Sequence, residues 1–576
     1  MKVNLTTENF KSDYFANLMR ARGVEDLEKF INPDDDCLGC PADLENIDAG
    51  SVLIQRAAAG DNKRFCVIVD SDCDGMTSAA IIVQYVNKVW PNVKVDYRLH
   101  EGKQHGLEDH IEDLMRNEPH YDLVICPDSS SNDFDYHEEL KEIGTPVLVL
   151  DHHEVDIQLS DNAVVINNQL SPRYRNKQLT GAGVAWQFCR YLDAELGFNY
   201  ADDLIDLAAL GVDGDMGSVL DLENRYIMQK GFSNIKNFFF HTLIDKQAYS
   251  MGNKVNPISV AFYIVPMINA MIRMGTMPEK ERLFKAFVNG QEMVVSKKRG
   301  AAPGSMEMVA VESARECTNA KTKQNKIIDE AIGRLEIKIF KHDLLENKIL
   351  FVRLDEGDDF PSEINGLVAM KLSQKYKKPT IIGRLGKDGM IKGSIRGLSN
   401  CELVDFKEFL TGSGLFEYVQ GHANAAGHCI DASKLDELHN YANAELAHID
   451  FNSNMYDVDF ERLAADKDII QLVFDVAQHE DVWGTGCPEP KIHIKDLNFN
   501  HNDIQIMGKN KDTVKITKFG VSYMKFHAKD LIEELGQHTE IKMNIVGKMN
   551  LNEYFGNVTP QIFIDSYDIM DGNLAF

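Results

Sequence analysis

The stretch "VIVDSDCDGMTSAA", residues 67–80, sets Asp70, Asp72 and Asp74 on alternate positions behind an apolar run and closes them with Gly75, Thr77 and Ser78. Carboxylates this close raise one another's pKa unless a cation or a set of backbone N–H donors offsets the charge. A divalent metal or a solvated loop meets that demand. The pattern DxDxDG also evokes a calcium loop. That loop needs a glutamate at its twelfth position, however, and counting from Asp70 this position is Ile81.

Working outward, the same kind of run recurs. "RFCVIVD", "VKVDYRL", "YDLVICPD", "TPVLVLDHH" and "NAVVINN" each carry a short apolar core ending in a polar cluster, with helical stretches such as "TSAAIIVQYVNKVW" between them. Such runs read as buried parallel strands of a doubly wound α/β sheet. Ligands of these sheets gather at the carboxyl ends of the strands. Asp70, Asp128 and Asp151 all sit there, followed by His152 and His153. Any one acid could be a helix cap or a turn residue, but acids at three strand ends point into one crevice. Asp215 closes "LAALGVDGD", with Asp213 as a rival in the same turn. Oxygen donors from several places plus imidazole describe a site for hard divalent ions, Mn²⁺ or Mg²⁺ rather than thiolate zinc. With this many acids, two ions are expected, in the arrangement that activates water and clamps a phosphoryl group.

Length and composition set the frame. The 576 residues predict three or four domains at roughly 150 residues each, and 44% hydrophobic with 26% charged residues is ordinary for globular proteins. The first residues lack the apolar stretch of a signal peptide, and no run approaches the ~18 apolar residues of a membrane helix, so a cytoplasmic address without membrane association is expected. Ten cysteines are scattered, and Cys37 with Cys40 make the single CxxC. The net charge of −28 disfavours a polyanionic partner in bulk, although acids that hold metal become locally positive once loaded. No GxxxxGK[ST] occurs, so no nucleotide cofactor is expected.

Four regions are expected. Residues 1–235 form the doubly wound domain with an N-terminal helical extension, and 236–345 a helical connector containing the loop "SKKRGAAPGS". Residues 346–450 form a smaller α/β domain, and 455–576 an antiparallel β-barrel. Within the last, residues 505–529 hold six lysines against one Asp, interleaved with Phe519, Tyr523 and Phe526. A nucleic acid strand could ride there.

"DSDCDGMTS", "VICPDSSSN", "DHH" and "LAALGVDGD" resemble the four motifs of the DHH phosphoesterase superfamily. "GSIRG" with "GHANAAG" resembles its DHHA1 companion domain, and "INAMIRMG", "WGTGCPEP" and "NEYFGNVTPQIFIDSYDI" resemble segments of the RecJ single-strand exonucleases, including their OB-like barrel. The resemblance implies a metal-dependent exonuclease that removes nucleotides from the 5′ end of single-stranded DNA, in repair, recombination or replication. A single-strand binding protein or helicase is the partner it would suggest. By resemblance Asp70, Asp72, Asp128, His152 and Asp215 are metal ligands, with Asp128 the bridge and Asp74 beside them. Asp151 orients an imidazole, and His153 faces the scissile phosphate. Arg273, Ser394 and Arg396 match positions that hold the terminal 5′ phosphate, and His422 matches a nucleotide contact. The chain departs from the family at Gln420, where a glycine is usual, and in "RLHEGKQHGL", which offers Arg98, His100 and Lys103 for a family arginine. Two other functions fit parts of the pattern. One is a phosphodiesterase on short oligonucleotides or cyclic dinucleotides, against which the tail from residue 485 argues. The other is a silent DHH scaffold, against which the retained ligands argue.

Overall fold

The computed structural model describes residues 1–102, 104–155, 160–355, 357–358, 360–398, 401–451, 455–554 and 556–574. They fall into two compact units, one of residues 26–324 with 481–488 and the other of residues 1–25, 325–480 and 489–576.

In the first unit, β1 (Arg64–Val69), β2 (Lys94–Leu99), β3 (Leu123–Pro127), β4 (Val147–Asp151) and β5 (Val164–Asn167) make one fully parallel sheet in the order β2-β1-β3-β4-β5. Residues at alternate positions of a strand face opposite sides. Cys66 and Ile68 of β1 join Val124, Cys126 and Val149 in a core completed by Leu107, Leu114, Tyr121 and Leu140. The intervening positions are equally buried, which is why these strands read as unbroken apolar runs. After β1 the chain crosses to β2 on one side, then returns to β3 on the other. The crevice between the ends of β1 and β3 is therefore the topological switch point, and Asp70 and Asp128 follow those two strands.

Three helices close that crevice: α1 (Cys73–Val89), α2 (Gly181–Leu196) and α3 (Ile205–Gly214), packed on one another. Asp72 caps α1 by accepting from the Gly75 N–H at 3.0 Å. Further on, the helices Phe238–Gln247, Val265–Met274 and Met277–Asn289 precede a hairpin, Met293–Val295 with Met306–Met308, and a 33-residue helix, Val309–Lys341. The hairpin was not legible as strand, because three residues on each side give no period. Against the reading of the sequence, Pro257–Met274 does have the length and apolarity of a membrane crossing, but 56% of it is buried inside the protein.

The second unit holds a sheet of β6 (Leu350–Leu354), β7 (Thr380–Leu385), β8 (Met390–Arg396), β9 (Phe416–His422) and β10 (Ala425–Asp431) in the order β9-β10-β8-β7-β6, with only β6 and β7 parallel. It also holds a seven-stranded sheet of β11 (Phe460–Leu463), β12 (Lys491–Asn500), β13 (Ile504–Met507), β14 (Thr513–Lys518), β15 (Val521–Lys525), β16 (His538–Tyr554) and β17 (Asn557–Leu574). Here the expected antiparallel pattern is broken twice, because β11 pairs with β12 and β15 with β17 in parallel. The N-terminal strand Lys2–Leu5 pairs with Met455–Val458, so residues 1–25 sit in this unit.

Helix α3 approaches its neighbours only because Gly211 lacks a side chain. A Cβ there would lie 2.3 Å from Ala182 Cβ and 2.4 Å from Asp74 Oδ1. We expect Gly211→Ala to destabilise the protein by about 1–3 kcal/mol through overpacking, seen as a lower denaturation midpoint. An unchanged midpoint would contradict this packing.

Candidate metal centre

The crevice gathers the acids from the ends of β1, β3 and β4 with the start of α1 and the end of α3. Ligand atoms of Asp70, Asp72 and Asp128 lie within 4.8 Å of one another, as do those of Asp74, His152 and Asp215, and those of Asp128, His152 and His153. His152 Nε2 is 3.1 Å from Asp128 Oδ1, 3.5 Å from Asp215 Oδ2 and 3.9 Å from Asp74 Oδ2. Two ligands at right angles around an ion with bonds of about 2.1 Å stand about 3.0 Å apart, which is the spacing of His152 and Asp128.

The buried carboxylates are treated differently. Asp74 accepts from Thr180 Oγ1, Gly181 N and Ala182 N at 2.8–3.0 Å, at the start of α2. Asp151 accepts from the N–H groups of Ser131, His152 and His153 and from His153 Nδ1 at 2.8 Å. By contrast, Asp70 Oδ1 and Asp128 Oδ1 are buried and receive no hydrogen bond. Asp128 itself stands at φ +66°, a left-handed backbone conformation at the turn after β3. Glycine at 181 makes room for it, since a Cβ there would lie 2.3 Å from Asp128 Oδ1.

Proton affinities follow from this packing. Burial, then repulsion from Asp74, Asp72, Asp70 and Asp151, holds Asp128 well above the carboxylate range. Burial raises Asp70 to about 6 against the pull of His105; Asp215, although its side chain is 43% exposed, is raised to about 7 by partial withdrawal from water at the crevice and by the charges of Asp74 and Asp72. Burial also raises Asp74. For Asp151 burial is outweighed by the hydrogen bond and charge of His153, and its carboxylate lies below the usual range. The two histidines part company: the Asp151 hydrogen bond lifts His153 to about 9, whereas burial lowers His152. A lone pair on His152 and bare oxygens on Asp70 and Asp128 are the donor set a hard divalent cation takes. The residues therefore fit such ions.

Among the other expected residues, Arg273 ends the helix Val265–Met274. Burial lowers its pKa and the charge of Asp72 opposes that. Asp213, the rival of Asp215, is buried with its Oδ2 also lacking a hydrogen bond, and burial holds its pKa well above the carboxylate range, but it is in none of the three ligand groupings. Arg98 binds Asp113 at 2.7 Å, and His100 lies against the tilted His110 ring with its Nδ1 3.4 Å from Asp109, so both are engaged away from the crevice acids. Lys103 lies outside the described residues. The residue that does reach them is His105, whose Nδ1 is 2.6 Å from Asp70 Oδ2. It stood in the same quoted segment, with nothing in the spacing to single it out. Ser394, Arg396 and His422 belong to the second unit, where register places Arg396 and His422 on either side of Ala425. Gln420 lies exposed on β9, in extended backbone that requires no glycine. The lysine-rich stretch is not one open face: Tyr523 is fully buried, Lys518 binds Asp503, and Lys525 donates to the Ile564 and Asp565 carbonyls. Phe519 and Phe526 remain exposed.

Two family models match, the N-terminal domain of the DHH family over residues 64–212 and the RecJ OB domain over residues 464–566. Along nearly its whole length the chain is 36% identical to a Bacillus subtilis protein named "Putative SPbeta prophage-derived single-strand DNA-specific exonuclease YorK", covering 99% of this chain and 98% of that one. The chain belongs to the RecJ-type DHH family. It is also 25% identical to the single-stranded-DNA-specific exonuclease RecJ of Bacillus subtilis, covering 70% of that protein. Its fold matches that of RecJ in complex with Mn²⁺ from Thermus thermophilus, with a TM-score of 0.74 at 20% identity over 99% of this chain and 80% of that one. A match to the Mg²⁺ complex of the same RecJ has a TM-score of 0.67.

A pH dependence follows from the raised carboxylates of this RecJ-type centre. Without metal, Asp70 and Asp215 bind protons more tightly folded than unfolded, so their contribution to stability is fully present below about 4 and is lost as pH rises through about 6 to 7. Metal competes with those protons. We expect Mn²⁺ to raise Tm more at pH 7.5 than at pH 5.5, measured against EDTA. Equal shifts at both values, or none, would contradict the competition.

Proposed function

We propose that the chain is a metal-dependent exonuclease hydrolysing phosphodiester bonds of single-stranded DNA from the 5′ end. The observation that carries the reading is the meeting of Asp70, Asp72, Asp128, His152 and Asp215 in one crevice, with overlapping ligand sets that share Asp128 and His152. In this reading two Mn²⁺ or Mg²⁺ ions would be held by Asp70, Asp72 and Asp128 on one side and by His152 and Asp215, beside Asp74, on the other, with Asp128 able to serve both sets. Bound there, two such ions supply an activated water and neutralise charge on a phosphoryl group during in-line displacement.

The chain's own residues set up the rest. Asp151 holds His153 through Nδ1, which leaves the other ring nitrogen on the half-exposed side of the imidazole. With its pKa near 9, His153 carries a proton at neutral pH and can donate to the leaving oxygen or to a phosphoryl oxygen. Arg273, half-buried and within the electrostatic influence of Asp72, would supply a fork for a phosphate. Ser394 and Arg396 would hold the terminal 5′ phosphate and His422 a nucleotide. In this assignment the DHH domain spans 1–235, with residues 1–25 packed in the second compact unit, the connector 236–345, which the division of the two units at 324–325 crosses, the DHHA1 domain 346–450 and the OB-like domain 455–576. Polarity, the place in DNA repair, recombination or replication, and a single-strand binding protein or helicase partner rest on family resemblance, and an intracellular address on the apolar patterning of the sequence. The RecJ OB match favours a long strand over a cyclic dinucleotide.

Removing a ligand should cost several kcal/mol of transition-state stabilisation. We therefore expect Asp128→Ala to lower Mn²⁺-dependent digestion on the order of a thousandfold. Asp151→Asn, which removes the charge that orients the His153 imidazole and raises its pKa, should cost about 10–100-fold. Full activity in Asp128→Ala would end this assignment. With one single strand labelled at either end, the 5′ label should be released first as mononucleotide. Early release of the 3′ label would reverse the polarity.

A further inference from the structure

The hairpin Met293–Met308 is used by nothing described so far. Met293 pairs with Met308 and Val295 with Met306, so these four side chains share one face. All four are exposed, at 51%, 38%, 59% and 51% respectively. The opposite face is fixed to the protein: Arg315 holds Glu307 through two hydrogen bonds of 2.6 and 3.1 Å, and the Lys297 N–H donates to the buried Glu312. The Val309 and Ala310 N–H groups close the base on the Glu292 and Gly290 carbonyls. The bare face is thus presented by a clamped ribbon. Its turn, Ser296–Ser305, contains Lys297, Lys298 and Arg299 in sequence, Pro303, and no acid, in a chain of net charge −28. All three cationic side chains are exposed, and none is in an ion pair among the described residues.

We propose that this hairpin is an arm for double-stranded DNA, taking the duplex from which the single strand emerges. The proposal rests on the reading of the chain as a DNA exonuclease. Charge complementarity selects a polyanion for the tip, since Lys and Arg on phosphates provide the sequence-independent part of DNA binding. The shape selects a duplex. A two-stranded ribbon fits a groove, and Met and Pro are side chains that wedge against base steps. Platforms for single strands are built from aromatic rings, and the hairpin has none.

The test uses the full chain without divalent metal, so that hydrolysis plays no part, and a labelled blunt duplex read by fluorescence anisotropy across a salt series. Lys297→Ala/Lys298→Ala/Arg299→Ala should bind the duplex about tenfold or more weaker at low salt. Its slope of log K against log salt should be shallower by about 2.7, for three lost phosphate contacts. Met293→Ser/Met306→Ser should weaken binding several-fold with the slope unchanged. Digestion of single strands with Mn²⁺ should stay as in the wild type for the tip variant, which also shows that it is folded. The proposal falls if the wild type does not bind the duplex, or if the tip variant binds it equally well. It also falls if the tip variant loses single-strand digestion in step with duplex binding, or loses only a protein partner. A chain inert toward all DNA with Mn²⁺ would defeat the nuclease reading and still leave the duplex measurement readable.

Discussion

Mutual repulsion among carboxylates withdrawn from water is the constraint on which this structure turns. Asp70, Asp74, Asp128 and Asp151 are each at most 2% exposed, and charges so placed must be protonated, paired or hydrogen-bonded. The protein divides them. Asp74 and Asp151 are surrounded by N–H donors from the start of α2, from the turn after β3 and from the residues just after β4. Asp70 and Asp128 each keep an oxygen that receives nothing from the protein. Acids that position the site are satisfied internally, and acids that face the crevice are left for a cation.

That division depends on topology. Only because β1 and β3 are neighbours, with the chain crossing over between them, do residues 70 and 128 meet. Glycine at 181 and 211 then lets α2 and α3 come within contact of Asp128 and Asp74. The same crowding separates two adjacent histidines. His153 turns to Asp151 and takes a proton, and His152 turns inward to Asp128, Asp74 and Asp215, where burial keeps it neutral.

Much of this was legible in the sequence. Apolar runs ending in acids announce buried parallel strands with a site at their carboxyl ends, and that pattern singles out Asp70, Asp128, Asp151 and His152, which stand at the ends of β1, β3 and β4. Spacing alone leaves Asp213 as a rival to Asp215, which only the resemblance to the family favours; in the structure Asp215, at the end of α3, is the one grouped with Asp74 and His152. His105 carried no signal, because its approach to Asp70 is made by a loop. The hairpin at 293–308 was too short for a period, and the burial of Tyr523 could not be told from the exposure of Phe519 and Phe526, since alternation fixes a face but not which face is inward.

Anomalous diffraction from crystals of the protein grown with Mn²⁺ tests the account most directly. It predicts two peaks about 3.5–4 Å apart, on either side of the Asp128 carboxylate, one within bonding distance of Asp70 and the other of His152. Peaks elsewhere on the acidic surface, with this crevice empty at saturating Mn²⁺, would contradict it.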